Sequence, residues 1–177
     1  MRAEDSEHVV AALRLRTVLP ANWRAGLAEV AEQGVFVTPP VHGWVLAVGR
    51  DLAASTADPS AIAPLLASLS ERFGDAFWFV TDDDRDVHGW ARAARGELTR
   101  GYAFAEEHGH IFWHGDLTDA ERELGCFVDD PRDRSADEVK WWPDRAVVCA
   151  LAARWAIDPA GIDAAASPVG AGFVGRM

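Results

Sequence analysis

Between Phe77 and His114 the chain reads FWFVTDDDRDVHGWARAARGELTRGYAFAEEHGHIFWH, four apolar runs of strand length cut by polar turns of hairpin length. Connections this short join only antiparallel neighbours, because a parallel pair needs a crossover of about a dozen residues. The run therefore predicts a four-stranded meander. Its strands are expected at Phe77 to Thr81, His88 to Ala94, Leu98 to Ala105 and His110 to His114, with an acidic turn and then turns at Arg95-Gly96-Glu97 and Glu106 to Gly109. In the third strand Leu98, Arg100, Tyr102 and Phe104 point one way, and Thr99, Gly101, Ala103 and Ala105 the other. The small-residue side suits a helix lying across it.

Helical periods flank the meander. Val9, Val10 and Leu13 recur at helical spacing after Ser6, a pattern that runs on to Thr17 and Val18 until Pro20 ends it. Asn22 is placed to cap a second helix with Trp23, Leu27, Val30 and Ala31 on one face and Gly34 as a left-handed stop. Ile62, Leu65, Leu66, Leu69 and Phe73 give the strongest helical period, from an Asp58-Pro59 start to Gly74, with Pro64 expected to push regular helix later. Thr118 and Glu121 have capping-box spacing before Gly125, and Pro143 opens a last helix facing inward with Val147, Val148, Leu151, Ala152 and Trp155. Around Pro39 and Pro40, Val35 to Val37 reads as an edge segment and Trp44 to Val48 as a strand, since a proline pair cannot donate to a central ladder. DDPRDRSADE reads as a charged loop, and the tail from about residue 166 as Gly-rich and irregular. The expected plan is α+β: one domain over residues 1–177, mostly antiparallel sheet with the meander at 77–114, packed with about four helices.

A chain of 177 residues can bury a core without disulfides or structural metal. No run approaches the ~18 apolar residues of a membrane span, so no membrane partner is expected. MRAEDSEHVVAALRLR mixes acids with bases and lacks the apolar stretch and cleavage site of an export signal, which predicts a cytoplasmic protein. Cys126 and Cys149 form no CxxC and suit free thiols in a reducing compartment. The formal charge of −11 repels a phosphate backbone and attracts basic surfaces, so nucleic acid is disfavoured as a partner and a basic protein favoured.

The strongest candidate for chemistry is Thr81-Asp82-Asp83-Asp84-Arg85-Asp86-Val87-His88-Gly89, carboxylates beside an imidazole at a strand end. If the protein is an enzyme, His88 is the expected base and Asp82 or Asp84 its acid or orienting partner; His42 is an alternative base. Asp82, Asp84 and Asp86 imitate the first half of a calcium loop, but Val87 replaces the turn glycine and Ala93 the bidentate glutamate. His108, His110 and His114 share even numbering, which makes His110 and His114 the nearest approach to a metal-binding face. Their spacing matches no zinc pattern, so neither metal nor cofactor is expected. Acidic neighbours raise the Cys126 thiol pKa, the wrong direction for a nucleophile, and Cys149 reads as packing. No GxSxG elbow occurs, and GAGFVG lacks the strand before and helix after that a dinucleotide fingerprint requires.

Eight tryptophans exceed what one small core readily absorbs, and large aromatics anchor ligand pockets and protein interfaces. Trp141 and Trp142, beside a charged loop and before Pro143, are expected to leave one indole partly exposed. An aromatic-lined ligand or partner site is expected where His42 and Trp44 meet the meander, with Asp83, Trp90, Trp141 and Trp142 contributing.

The combination VFVTPPVHGWVLAVG, SERFGDAFWFVTDDDRDVHGWARAARGELTRGYAFAEEHGHIFWHGDLTDAERELG and RWAIDP resembles a group of bacterial proteins of the same layout that have no assigned activity. The resemblance covers most of the chain and implies one domain, and it transfers no catalytic residue, cofactor or substrate. Two classes of function follow from the residues. The first is an acidic protein-interaction module, an immunity or inhibitor-type protein for a basic partner, which accounts for charge, tryptophans and missing motif together. The alternative is a small-molecule-binding protein or enzyme of specialised metabolism using a His/Asp acid-base pair in a Trp-lined cleft.

Overall fold

The computed structural model describes every residue except 2, 4, 54–57, 128–140 and 163–169, so the DDPRDRSADE segment lies outside the described residues. The architecture is α+β with two four-stranded antiparallel sheets. Contacts gather into two compact units, one of Met1–Ser55 with Gly161–Met177, the other of Thr56–Ala160.

In the first unit, α1 (Ser6–Ala12) starts where the Asp5 carboxylate accepts the Glu7 amide. The helical period suggested up to Val18 is cut short: Arg14 takes φ +55° and the chain becomes β1 (Arg16–Ala21). Thr17 and Val18 are β-branched and fit an extended strand better than a frayed helix end. Pro20 is tolerated there because β1 is an edge strand. Asn22 caps α2 (Trp23–Glu29) through the Ala25 amide at 2.9 Å. The sheet continues with β2 (Val35–Val37), β3 (Ala47–Val48) and β8 (Gly172–Arg176) in the order β1-β8-β2-β3, with α3 (Arg50–Ala53) following β3.

Two expectations are corrected here. Val35 to Val37 is an interior strand, fully buried and flanked by β8 and β3, and only Ala47–Val48 of the Trp44 to Val48 run is ladder. Gly172 to Arg176 is no irregular tail but the strand paired to both β1 and β2. The glycines that make the tail look unstructured allow close packing. A Cβ on Gly172 would lie 2.3 Å from the Val37 carbonyl oxygen. On α2, Gly26 serves the same end, since its Cβ would meet the Phe36 ring at 2.4 Å.

In the second unit, Asp58 accepts the Ser60 amide and a 3-10 turn at Pro59–Ala61 leads into α4 (Ile62–Phe73). Pro64 falls in the first turn of regular helix, where its missing amide has no intrahelical partner to lose. Gly74, at φ +82°, closes the helix. The meander follows as expected: β4 (Asp75–Asp82), β5 (Val87–Ala94), β6 (Glu97–Ala105) and β7 (Gly109–His114), in sequential order. One face is built of small residues, Gly89, Ala91, Ala93, Gly101 and Ala103 with Trp78, and α4 lies across β4, β5 and β6 with Ile62, Leu66 and Leu69 buried. The other face carries Phe79, Trp90, Tyr102, Phe104 and Trp113, and packs against α5 (Asp119–Glu123), Phe127, Trp141 and α6 (Arg145–Trp155). The last helix starts two residues beyond Pro143, with the Asp144 carboxylate taking the Val147 amide.

Candidate functional site

Three clusters in the second unit hold the groups with chemical potential. The first forms at the turn end of the β4–β5 hairpin. The ladder pairs Thr81 with His88 and Asp82 with Val87, so the acidic turn folds back on itself. His88 is buried, its side chain 4% exposed, and its two ring nitrogens are both engaged: Nδ1 lies 2.9 Å from Thr81 Oγ1 and Nε2 lies 3.0 Å from Asp86 Oδ1. Asp86 reaches the ring because its backbone sits at φ +47°, a conformation aspartate tolerates better than most residues. Thr81 Oγ1 also lies 3.2 Å from Asp83 Oδ1. Asp83 is in turn held by the Arg145 guanidinium at the start of α6, whose hydrogen bond lowers the carboxyl pKa from its ordinary range.

The partners of the acids expected to assist His88 are therefore local. Asp82 accepts the Asp84 amide at 3.2 Å and lies 3.8 Å from Arg85, while Asp84 is exposed. Asp86 and Thr81, rather than Asp82 and Asp84, touch the imidazole. Turn symmetry is the signal that finds them: strands ending at Thr81 and resuming near His88 pair these two residues across the hairpin.

The second cluster is a buried ion pair inside an aromatic shell. Arg100 and Glu121 are each 0% exposed. Arg100 Nε donates to Glu121 Oε1 at 2.9 Å and Oε2 at 3.1 Å, and Nη1 donates to the carbonyls of Gly101 and His114. Glu121 also accepts Trp90 Nε1 at 2.8 Å and both the amide and hydroxyl of Thr118 at 2.8 Å, so it completes the capping box and the ion pair together. The guanidinium lies 4.3 Å from the Trp113 ring centroid. Phe127 packs 4.6 Å from Tyr102 and 4.7 Å from Trp141. Burial pushes the Tyr102 phenol well above its ordinary range and the Cys126 thiol up to about 12. An arginine in mid-strand between Leu98 and Tyr102 was the readable sign of this pair; its partner, forward in a capping box, was not.

The third cluster is the histidine strand. His110 Nδ1 lies 2.9 Å from the Tyr102 hydroxyl, and burial lowers its pKa. A bulge pairs His110 with Phe104 but His114 with Gly101, so the two rings leave opposite faces of the sheet; His114 Nε2 lies 2.9 Å from the Leu98 carbonyl oxygen. The even-numbered face is thus divided. Among the described residues no group of three or more His, Cys, Asp or Glu is placed to hold a metal ion.

The remaining candidates are placed as follows. His42, exposed at φ +50°, and Trp44, 7% exposed, belong to the first unit, in the small turn bridged by Val41 and Trp44. Trp90 is fully buried against Tyr102 at 4.7 Å. Trp141 is half-buried, whereas Trp142 is 55% exposed and rests on Phe104 at 5.4 Å. No helix among the described residues is long and apolar enough to cross a membrane. No family model matches the chain, and no match was found among the curated proteins or the solved structures.

Proposed function

We propose that the protein is an acidic interaction module, of the immunity or inhibitor type, that docks a basic protein on the turn end of its meander. One observation carries the reading. The β4–β5 and β6–β7 turns lie side by side, joined by the Glu106 amide donating to the Asp86 carbonyl at 3.2 Å, with exposed Trp142 seated on Phe104 one residue pair away. The two turns bring Asp82, Asp83, Asp84, Asp86, Glu106 and Glu107 to one end of the sheet, together with Arg85 and, from α6, Arg145. Carboxylates so grouped steer a cationic partner, and a half-exposed indole supplies the apolar anchor that charge alone does not.

Tagged protein passed through lysate of its native host tests this. The wild-type chain is expected to retain a basic protein that is released as salt rises, because exposed pairs are screened within about 8 Å at physiological ionic strength. Reversing Asp84, Glu106 and Glu107 to lysine should abolish retention, and Trp142→Ala should weaken it by about 2 kcal/mol, the scale of an interface hot spot. Equal retention by the reversed variant refutes the reading.

A further inference from the structure

We infer that Thr81 is an activated hydroxyl nucleophile, with His88 as its general base and Asp86 as the residue that positions the base, competent to take an acyl group from a small activated ester or thioester. The inference follows from hydrogen-bond accounting at the hairpin. An ionised carboxylate only accepts, so Asp86 Oδ1 at 3.0 Å requires the proton of the neutral imidazole to sit on Nε2. Nδ1 then carries a lone pair, and it faces the Thr81 hydroxyl at 2.9 Å. Hydroxyl, imidazole and carboxylate thus stand in the order of a nucleophile, its base and the group that orients the base.

Burial divides the roles. The His88 side chain is only 4% exposed, whereas Thr81 is half-buried, so of the two residues the threonine is the one more open to an acyl donor. The second acceptor near the hydroxyl, Asp83 at 3.2 Å, is held by Arg145 and is farther away than Nδ1. The surrounding carboxylates of Asp83, Asp84 and Asp86 repel phosphate and carboxylate donors, which leaves neutral or cationic acyl donors as the substrate class.

In the step itself, Oγ1 forms a bond to the acyl carbon as its proton passes to His88 Nδ1. The bond from that carbon to the leaving oxygen or sulfur then breaks, and the leaving group departs as an anion. The products are acyl-Thr81, imidazolium and the freed phenolate or thiolate, to which the imidazolium passes its proton. The neutral ring then takes a proton from water as that water attacks the acyl carbon, and returns it to Oγ1 as the acyl–Oγ1 bond breaks, releasing the carboxylic acid and free Thr81.

p-Nitrophenyl acetate is the probe, and mapping the acetyl group separates Thr81 from the chain's other acceptors, its single lysine, two free thiols, six imidazoles and terminal amine. The expected result is release of p-nitrophenolate with the acetyl group mapped by mass spectrometry to Thr81, faster than to Thr99, an exposed strand threonine of the same sheet. His88→Gln should slow that labelling by about a hundredfold or more, the scale of general-base catalysis. Thr81→Val should abolish it and Thr81→Ser retain it. Asp86→Asn, which keeps an acceptor oxygen, should retain more rate than Asp86→Ala. Thr81→Ser and Asp86→Asn preserve the hairpin's hydrogen bonds, so the test survives if the harsher variants misfold. The inference is overturned if Thr81 is labelled no faster than Thr99, if folded His88→Gln labels at the wild-type rate, or if Thr81→Val still releases p-nitrophenolate undiminished.

Discussion

Replacing Glu121 by leucine removes a carboxylate that five hydrogen bonds describe: two from Arg100 Nε, one from Trp90 Nε1 and two from Thr118. Three costs arise at once. Arg100, 0% exposed, is left as a buried charge without its counter-ion, a change that costs about 3–5 kcal/mol. The buried Trp90 indole loses its acceptor, at about 1–3 kcal/mol, and the α5 capping box loses its glutamate arm, at about 1 kcal/mol. These terms belong to one network and do not add, so a total loss of about 4 kcal/mol is expected, a large fraction of the roughly 5–15 kcal/mol that holds a typical domain folded. Arg100→Met combined with Glu121→Leu removes both charges, and the double variant should recover about 2 kcal/mol relative to Glu121→Leu alone. Urea unfolding followed by intrinsic fluorescence reads the effect, because Trp90, Trp113 and Trp141 all stand in or against the affected cluster. A cost below about 1 kcal/mol for Glu121→Leu, or a double variant no more stable than the single, would refute the claim that this pair is desolvated and mutually dependent.

Two further outcomes are open to direct measurement. Tyr102 is the one tyrosine of the chain and is 0% exposed, with burial raising its pKa above the ordinary value of about 10. The folded state therefore holds the phenol proton where the unfolded chain releases it, so stability is fully present below about pH 10 and falls as pH rises beyond it. Tyrosinate absorbance near 295 nm should appear only together with cooperative unfolding; a titration inside the folded protein near pH 10 would contradict it. Gly172→Ala places a Cβ 2.3 Å from the Val37 carbonyl oxygen, where backbone rather than a movable side chain must yield, and should destabilise the first unit by about 1–3 kcal/mol or more. A variant unfolding at the wild-type urea midpoint would show that β2 and β8 separate freely.

The meander was readable because its information is local. Alternation and turn residues lie within hairpin distance of one another, and those short turns set the pairing of Thr81 with His88. Caps were readable for the same reason: Asn22, Asp58 and Thr118 each accept an amide within three residues. Where two local signals competed, the reading failed. Helical spacing favoured an extended first helix through Val18, but Arg14 at φ +55° reverses the chain and β8 supplies a ladder for Arg16–Ala21.

The sequence by itself determined the α+β class, the order of the meander and the hairpin on which His88 sits, because each depends on residues a few positions apart. Only the tertiary structure decided that a glycine-rich C-terminal segment becomes an interior strand between β1 and β2, that Arg100 meets Glu121, that Asp83 meets Arg145, and that a bulge in β7 separates His110 from His114. The first three join residues from about twenty to well over a hundred positions apart, where pairing is selected by what buries the most apolar surface while leaving no charge or backbone group unsatisfied. Glycine illustrates the reason: its local preference is for loops, and only the close approach of Val37 shows why β8 needs a residue without a side chain.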